Sequence, residues 1–353
     1  MMKFQSKFSH IYLENQVRDL PLSKLIISKF NHSTIINIDH YKDIFNRVRQ
    51  DFQIQKQTMN LILAKKTEPL LYLASDMVQD YRNPNTFYNT PILNCLYSCE
   101  YCFLQGMYPS GNLVIFTNEF DFFDSIDRKI LSLEDPKKPM IVSISYNTDL
   151  LAMENIVPMV SRWIKFARKR KNLIIEIRTK SAYFQSIKKL RPSKNIILSW
   201  TLSPEKVCNE YEIYAPPLGM RLKAVNRAIE LGWNVRLCFD PILLIENWES
   251  IYFEFIDEVF SKIEVNNLRD VTLGVFRMNK DYFNRVRKSE LRSKLYYMDY
   301  INEAGIVTIK KEKRLSVLSK IENKIGDYIS KNKILTWACI KILIFIYIFN
   351  KAT

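Results

Sequence analysis

Three cysteines, Cys95, Cys99 and Cys102, lie within eight residues of the chain, in the segment PILNCLYSCEYCFLQ. Thiols spaced C-x3-C-x2-C on one loop can hold three irons of a cubane [4Fe–4S] cluster and leave the fourth iron without a protein ligand. An open iron of this kind is typical of a cluster that takes part in chemistry. A zinc site would need a fourth ligand, and none of the three histidines lies close in the sequence. A zinc site completed by a distant ligand and three incidental thiols are the alternatives.

The composition indicates a soluble globular protein in a reducing compartment. The chain has 353 residues, of which 47% are hydrophobic and 25% are charged, enough for one large domain or two ordinary ones. The remaining cysteines, Cys208, Cys238 and Cys339, are too scattered to suggest a disulfide framework. The N-terminus lacks the long apolar core of a signal peptide. We therefore predict a cytoplasmic protein.

The run from Ile334 to Phe349 is nearly all apolar, with Lys341 inside it. A membrane-spanning helix needs about 20 apolar residues, so this run is short for that purpose. Its β-branched and aromatic content predicts a buried terminal strand followed by an apolar tail. Membrane attachment is the alternative, and we expect no stable membrane association.

The net charge is +15, from 52 Lys and Arg against 37 Asp and Glu. Such an excess favours a polyanionic partner, with nucleic acid first and an anionic membrane surface second. The basic residues are spread along the chain, so a solvated lysine-rich surface is the alternative.

Strand and helix patterns alternate from residue 86 onward, which predicts βαβ units and a parallel sheet. The predicted strands are Thr86–Leu93, Met140–Tyr146, Leu173–Thr179, Asn195–Leu202, Asn234–Ile242 and Asp270–Phe276. The predicted helices are Asp121–Leu133, Leu150–Arg170, Ala182–Leu190, Leu218–Leu231 and Trp248–Val265. Six units predict an α/β fold with an open, partial (β/α)6 barrel, whose functional edge is at the carboxyl ends of the strands. The cysteine loop follows the first predicted strand, which places it at that edge.

The organisation along the chain follows from these patterns. We predict a small N-terminal α/β lobe over residues 1–84, the partial barrel over 85–278, a C-terminal helical and strand extension over 279–339, and an apolar tail over 340–353. The polar stretch Gln79–Thr90 contains Pro84 and is a plausible boundary.

With the cysteine motif after the first strand of six units, the sequence resembles the radical S-adenosylmethionine (SAM) superfamily, and within it the spore photoproduct lyase family. The similar segments cover most of residues 8–339. They are CEYCFLQ (99–105), SISYNTDLLAME (143–154), IRTK (177–180), SWTLSPE (199–205), YEIYAPPLGMRLKAVNRAIELGW (211–233), CFDPI (238–242), VFRM (275–278), the N-terminal HIYLENQVRDLP and the terminal KILTWAC.

The resemblance implies a radical enzyme. In the superfamily, the open iron chelates the amino and carboxylate groups of SAM, and one electron cleaves the C–S bond to give a 5′-deoxyadenosyl radical. By matched segments, Thr148, Lys180 and Thr201 are implied to contact SAM, with the Asp240 backbone near the adenosine. Lys180 would pair the SAM carboxylate, with a solvated lysine as the alternative, and the two threonines could instead cap turns. Arg277 is a candidate phosphate contact at the mouth of the barrel, with a structural salt bridge as the alternative.

The resemblance also implies a reaction and partners. A lyase of this family would abstract hydrogen from a damaged thymine in DNA, and we expect a monomer reduced by a flavodoxin or ferredoxin. In the DNA-repairing lyase, a cysteine and two tyrosines return the hydrogen. Here the cysteine position is Tyr146, the first tyrosine is Tyr101, and the second is Phe103. We expect Tyr101 and Tyr146 to line the radical path. The alternatives are a substrate such as RNA, a peptide or a small molecule, or a non-catalytic Fe–S protein that binds nucleic acid.

Overall fold

The computed structural model describes residues 8–74 and 83–337. Its largest sheet has eight strands, and all are parallel except the edge strand Tyr72–Leu73. Their spatial order is Ile334–Thr336, Leu268–Val275, Asn234–Ile242, Ile196–Thr201, Leu173–Thr179, Met140–Ser143, Thr86–Tyr88 and Tyr72–Leu73. The central strands are buried on both faces, as is typical of parallel strands covered by helices. This curled half-barrel confirms the predicted α/β fold with a partial (β/α)6 barrel.

Helices follow most of these strands and cover the sheet. The α-helices are Pro21–Lys29, Lys42–Phe45, Phe52–Gln57, Leu104–Met107, Glu119–Ile130, Leu150–Met153, Met159–Ala167, Glu205–Tyr211, Leu218–Glu230, Trp248–Lys262, Lys280–Ser289 and Lys311–Gly326. Short 3-10 helices lie at Asn15–Val17, Phe184–Ser186, Lys294–Tyr297 and Lys331–Lys333. No helix in the two described ranges is both long and apolar enough to cross a membrane.

Three smaller sheets complete the fold. A five-stranded sheet, parallel except for its last strand, has the order Thr34–Ile38, His10–Glu14, Leu61–Ala64, Leu113–Phe116 and Ile92–Leu93. The second sheet pairs Ser98–Cys99 with Glu212–Ile213, and in the third Ile306–Thr308 lies between Arg277–Asn279 and Ile301–Glu303. Chain segments on either side of residue 84 contribute to both large sheets. The domain bounds at residues 84, 278 and 339 stay a prediction.

The single predicted strand Thr86–Leu93 is wrong. The structure has two short strands there, Thr86–Tyr88 in the large sheet and Ile92–Leu93 in the five-stranded sheet. Pro91 lies between them, and proline has no N–H to donate to a sheet ladder. The cysteine loop therefore follows a strand of the five-stranded sheet rather than the first strand of the barrel.

Two predicted helices also differ from the structure. Leu150–Arg170 is broken into two helices, because Pro158 precedes the second one and the Glu154 carboxylate accepts hydrogen bonds from its first backbone N–H groups. Ala182–Leu190 forms only the short turn Phe184–Ser186. There the Ser181 hydroxyl accepts the N–H of Tyr183, and such a side-chain bond competes with helix formation.

The predicted terminal strand is present as Ile334–Thr336, which pairs in parallel with Leu268–Val275. Trp337 follows it and is buried. The predicted apolar tail at 340–353 lies outside the described residues, as does Cys339.

The cysteine loop runs directly into the helix Leu104–Met107, which packs against Lys280–Ser289. Gly106 lies at the crossing, where a Cβ atom would be 2.4 Å from the carbonyl oxygen and 2.6 Å from the Cα of Tyr282. Those atoms belong to the backbone and cannot swing away as a side-chain end could. Only glycine therefore permits this close approach.

We expect Gly106→Ala to destabilise the cluster-free protein by about 1–3 kcal/mol, because the added methyl group must push two helices apart. Gly219→Ala is the matched control. Gly219 is also helical, but a Cβ there would meet nothing within 4 Å, so alanine should be neutral or stabilising by up to about 1 kcal/mol. Thermal unfolding of both variants followed by circular dichroism measures the difference, and equal melting temperatures would contradict the close approach.

Candidate active site

A cavity of about 260 Å³ lies at the carboxyl ends of the parallel strands. The ten residues that the sequence singled out all line this one cavity, although they are spread over nearly 200 positions of the chain. They are Cys95, Cys99, Cys102, Tyr101, Tyr146, Thr148, Lys180, Thr201, Asp240 and Arg277. The structure therefore brings together every predicted site residue, while their individual roles stay predictions.

The cysteine loop is held by hydrogen bonds from three directions. Its strand Ser98–Cys99 pairs with Glu212–Ile213 from the barrel. The amide of Gln105 donates to the Cys99 carbonyl oxygen at 2.6 Å. The buried ammonium of Lys56 donates to the carbonyl oxygen of Cys95. These contacts fix the backbone from which the thiols project.

Burial is the largest influence on the three thiols. It raises the pKa of Cys95 to about 11, of Cys99 to about 12 and of Cys102 to about 11. The thiols are therefore protonated at neutral pH unless a metal displaces the proton, and coordination deprotonates a thiol. Within residues 8–74 and 83–337, no group of three or more His, Cys, Asp or Glu side chains is positioned to hold a single metal ion. The thiols instead face a shared space.

Thr148 and Asp149 lie at the end of the loop that joins the strand Met140–Ser143 to the helix Leu150–Met153. The Thr148 hydroxyl is buried, and no group in the described part of the chain bonds to it. Asp149 caps the following helix through the N–H of Ala152, and it also accepts from the Thr179 hydroxyl and the Lys180 N–H, each at 2.7 Å. Asp149 is therefore the residue that fixes the end of the neighbouring strand, whereas Thr148 has unused hydrogen-bonding capacity.

The ammonium of Lys180 faces the cavity rather than bulk water. It lies 5.2 Å from the centroid of the Tyr101 ring. Burial acts to lower the pKa of Lys180, but Cys99 and Glu212 outweigh burial, and the net effect is a raised pKa. Lys180 is thus a cation at neutral pH, held at the cavity wall.

A buried ion pair that sequence reasoning missed lies behind Tyr101. Glu212 and Arg221 contact each other with both side chains fully buried, and the Tyr101 hydroxyl donates to the same carboxylate. Burial acts to raise the pKa of Glu212, but Arg221 and Lys180 outweigh it and lower that pKa to about 2. Arg221 also donates to the Thr201 carbonyl oxygen at 3.2 Å. No periodicity in the sequence relates positions 212 and 221. The one available signal was that both charged residues lie in the matched segment 211–233.

Asp240 and Arg277 form an ion pair in the lining of the cavity. Arg277 donates to the Asp240 carboxylate at 2.8 and 3.2 Å, and Arg178 lies 3.5 Å from it. Burial acts to raise the pKa of Asp240, but the two arginines outweigh it and lower that pKa. The Arg277 guanidinium carbon also lies 4.2 Å from the Trp337 ring centroid. Arg277 therefore has the structural salt bridge that we considered, although its side chain still lines the cavity.

Tyr146 occupies the loop after the strand Met140–Ser143. Its ring centroid lies 4.4 Å from that of Tyr88 and 5.6 Å from that of Phe103. Burial, with a smaller effect of Tyr88, raises the pKa of Tyr146 to about 12. Its phenol therefore keeps its hydrogen at neutral pH.

The sequence and the fold were compared with those of known proteins. The spore photoproduct lyase family model matches residues 6–303. A spore photoproduct lyase double mutant with bound AdoMet and dinucleoside spore photoproduct has a TM-score of 0.80 and 16% sequence identity, over 94% of this chain and 99% of that one. Spore photoproduct lyase complexed with dinucleoside spore photoproduct has a TM-score of 0.80 and 17% identity, with the same coverage. At such identities the structural likeness shows the fold alone. A search of curated proteins found no match.

We expect Glu212→Gln to destabilise the protein by about 3–5 kcal/mol, because it leaves the Arg221 charge buried without its partner. The matched control is Glu230→Gln, which breaks an exposed pair with Arg227 and should cost less than about 1 kcal/mol. Denaturant unfolding of the cluster-free protein measures both changes. A loss of similar size in the two variants would contradict the assigned importance of the buried pair.

The same pair predicts a pH dependence. The folded pKa of Glu212 is about 2 and its ordinary value is 4.5, so the unfolded chain binds more protons between these values. The stabilising contribution of Glu212 is therefore complete above pH 4.5 and is lost as the pH falls towards 2. We expect the difference in unfolding free energy between the wild-type protein and Glu212→Gln to shrink over that interval. A difference in unfolding free energy that stays constant from pH 6 down to the lowest pH at which the protein folds would disprove the lowered pKa of Glu212.

Proposed function

The chain belongs to the spore photoproduct lyase family, and from that premise we propose that it is a [4Fe–4S] radical SAM lyase acting on a damaged thymine lesion in DNA. Membership of a lyase family confirms the predicted enzyme class. One observation supports the proposal most directly. Three thiols, the unpartnered Thr148 hydroxyl and the Lys180 ammonium all face a single cavity at the carboxyl ends of the strands.

The donor set fits an iron–sulfur cluster. Cys95, Cys99 and Cys102 supply three thiolates, which are the protein ligands that such clusters use. Lys56 interacts electrostatically with all three thiols, and Lys180 with Cys99 and Cys102. Burial lowers the pKa of Lys56, but the three thiols act to raise it, so ionised thiols favour the charged form of both lysines, which offsets the negative charge acquired on ligation. When bound, the reduced cluster and SAM supply a 5′-deoxyadenosyl radical, and the protein contributes binding and orientation.

The part of the cavity beside the thiols fits a zwitterionic amino acid group. Lys180 can pair with a carboxylate, and an ionised pair gives the stronger class of hydrogen bond. The Thr148 hydroxyl can bond to a ligand without breaking an existing contact. Thr201 is held in place through its carbonyl oxygen by Arg221. Asp240 is fixed by two arginines, so the backbone there presents a rigid edge to an adenosine.

The charge of the molecule supports DNA as the substrate. The net charge of +15 favours a polyanion, and Arg178 and Arg277 place two guanidinium groups against one carboxylate at the cavity. An incoming phosphate would share Arg277 with Asp240. Because a base inside a duplex cannot reach a recessed cavity, the lesion would have to leave the base stack. We further propose a cytoplasmic monomer that receives electrons from a flavodoxin or ferredoxin.

A second candidate keeps the radical chemistry and changes the substrate to RNA, a peptide or a small molecule. The observation that favours it is the replacement of the family's hydrogen-returning residues by Tyr146 and Phe103. A phenylalanine ring has no hydroxyl hydrogen to give. Return of hydrogen to a thymine product must therefore follow another route here, if thymine is the substrate.

We expect Cys99→Ala to abolish both the visible absorbance of the reconstituted cluster and the formation of 5′-deoxyadenosine from SAM and dithionite. Cys208→Ala is the matched control, because Cys208 is buried but does not line the cavity. It should retain both signals. Absorbance and chromatography under anaerobic conditions measure them, and SAM cleavage by Cys99→Ala would overturn the ligand assignment.

We expect the reconstituted wild-type protein, with dithionite and SAM, to convert dinucleoside spore photoproduct to thymidine products. We also expect its affinity for DNA to fall steeply with salt, about 10³-fold or more between 50 and 200 mM if six or more phosphates are contacted. Filter binding and product chromatography measure these quantities. SAM cleavage without lesion turnover, together with salt-insensitive DNA binding, would refute the DNA substrate and favour the second candidate.

A further inference from the structure

Three tyrosine rings form a column of neighbouring rings that begins at the cavity. Tyr146 lines the cavity, and its ring centroid lies 4.4 Å from that of Tyr88. The Tyr88 ring lies 5.1 Å from the Tyr72 ring at an interplanar angle of 17°. All three side chains are half-buried. The column therefore connects the reaction space with the edge strand Tyr72–Leu73 of the large sheet.

The hydroxyl groups along this column are also close enough to influence one another. Burial raises the pKa of Tyr88, and Tyr72 raises it further. Burial and then Tyr88 have the same effect on Tyr146. Tyr88 and Tyr146 therefore stay protonated at neutral pH, and each has a hydrogen atom to give.

The other tyrosine that we expected on the radical path has different surroundings. The Tyr101 hydroxyl donates to the buried carboxylate of Glu212, and the Lys180 ammonium lies 5.2 Å from its ring centroid. A cation beside an aromatic ring disfavours loss of an electron from that ring. The cations that act on Tyr146, Arg277 and Arg178, are both paired with the Asp240 carboxylate. The ring of a second tyrosine, Tyr88, lies beside Tyr146.

Resting on the proposed radical function, we propose that Tyr146 and Tyr88 act as a hydrogen-donating dyad that replaces the relay lost at Phe103. Tyr146 gives the hydrogen of its O–H bond to a carbon-centred radical in the cavity, which forms a C–H bond and leaves a Tyr146 phenoxyl radical. Tyr88 then transfers its own hydroxyl hydrogen to Tyr146, and the unpaired electron moves to Tyr88. One electron from a one-electron reductant, such as the electron carrier or dithionite, and one proton from water restore the Tyr88 phenol.

The outer end of the column keeps the radical near the cavity. The Lys66 ammonium lies 5.7 Å from the Tyr72 ring centroid, which disfavours oxidation of Tyr72. The unpaired electron is therefore retained on Tyr88 and Tyr146, and Tyr72 is not an exit for it.

The first test needs no identified substrate. Reconstituted protein with SAM and dithionite in D₂O should release 5′-deoxyadenosine that carries deuterium from the exchanged Tyr146 hydroxyl. Tyr146→Phe should lower the deuterated fraction about tenfold while 5′-deoxyadenosine is still formed. Tyr88→Phe should retain the deuterium but produce a longer-lived tyrosyl radical signal in electron paramagnetic resonance. An undiminished deuterated fraction in Tyr146→Phe would overturn the dyad.

The second test uses the cluster-free chain, so that it does not depend on SAM cleavage. 3-Aminotyrosine incorporated in place of Tyr146 traps a radical with a distinct spectrum. After flash photo-oxidation with ruthenium tris-bipyridine, that signal should appear about tenfold more slowly in the Tyr88→Phe background. Tyr300→Phe is the matched control, because the Tyr300 hydroxyl contacts Met298 and the residue does not line the cavity, so this variant should change nothing. No effect of Tyr88→Phe would overturn the dyad. Absence of 5′-deoxyadenosine from the wild-type protein in the first test would instead refute the proposed function.

Discussion

Glu212 ties the cysteine loop to the barrel through its backbone and its side chain at once. Its backbone pairs with Cys99 in a two-stranded ladder, while its carboxylate accepts from Tyr101 and contacts Arg221. A buried carboxylate is costly unless it is paired and hydrogen-bonded, and here Arg221 and two hydroxyl donors satisfy it. The position of the thiols relative to the strand ends therefore depends on one fully compensated charge.

Two separate groups of charged side chains surround the cavity. One wall carries the thiols with Lys56 and Lys180 around them. Another part of the lining carries Asp240 between Arg178 and Arg277. A ligand with a negatively charged group beside Lys180 and a polar group beside Asp240 and its two arginines therefore meets complementary charge at both ends. The rings of Tyr146, Phe103 and Tyr101 also line the cavity, and aromatic rings in the lining reduce the access of water to a reactive radical.

The sequence predicted the parts of the fold that local patterns determine. Leu173–Thr179 and Asn234–Ile242 match the predicted bounds, because central parallel strands are continuous apolar runs with clear polar ends. The broken strand at Pro91 and the broken helix at Pro158 were missed because the apolar pattern continued across each proline. The cysteine motif and the matched segments supplied the ten candidate site residues, and all ten line one cavity, while their roles stay predictions. The Glu212–Arg221 pair and the Tyr88 stack could not be found that way, because they arise from contacts between elements that no local spacing encodes.

The strand Ile334–Thr336 adds the last parallel strand to the large sheet, and Trp337 then packs on the Arg277 guanidinium beside the cavity. During synthesis, the ribosome has released almost the whole described chain before this wall can form. The C-terminal end of the described chain therefore completes the part of the cavity that carries Arg277.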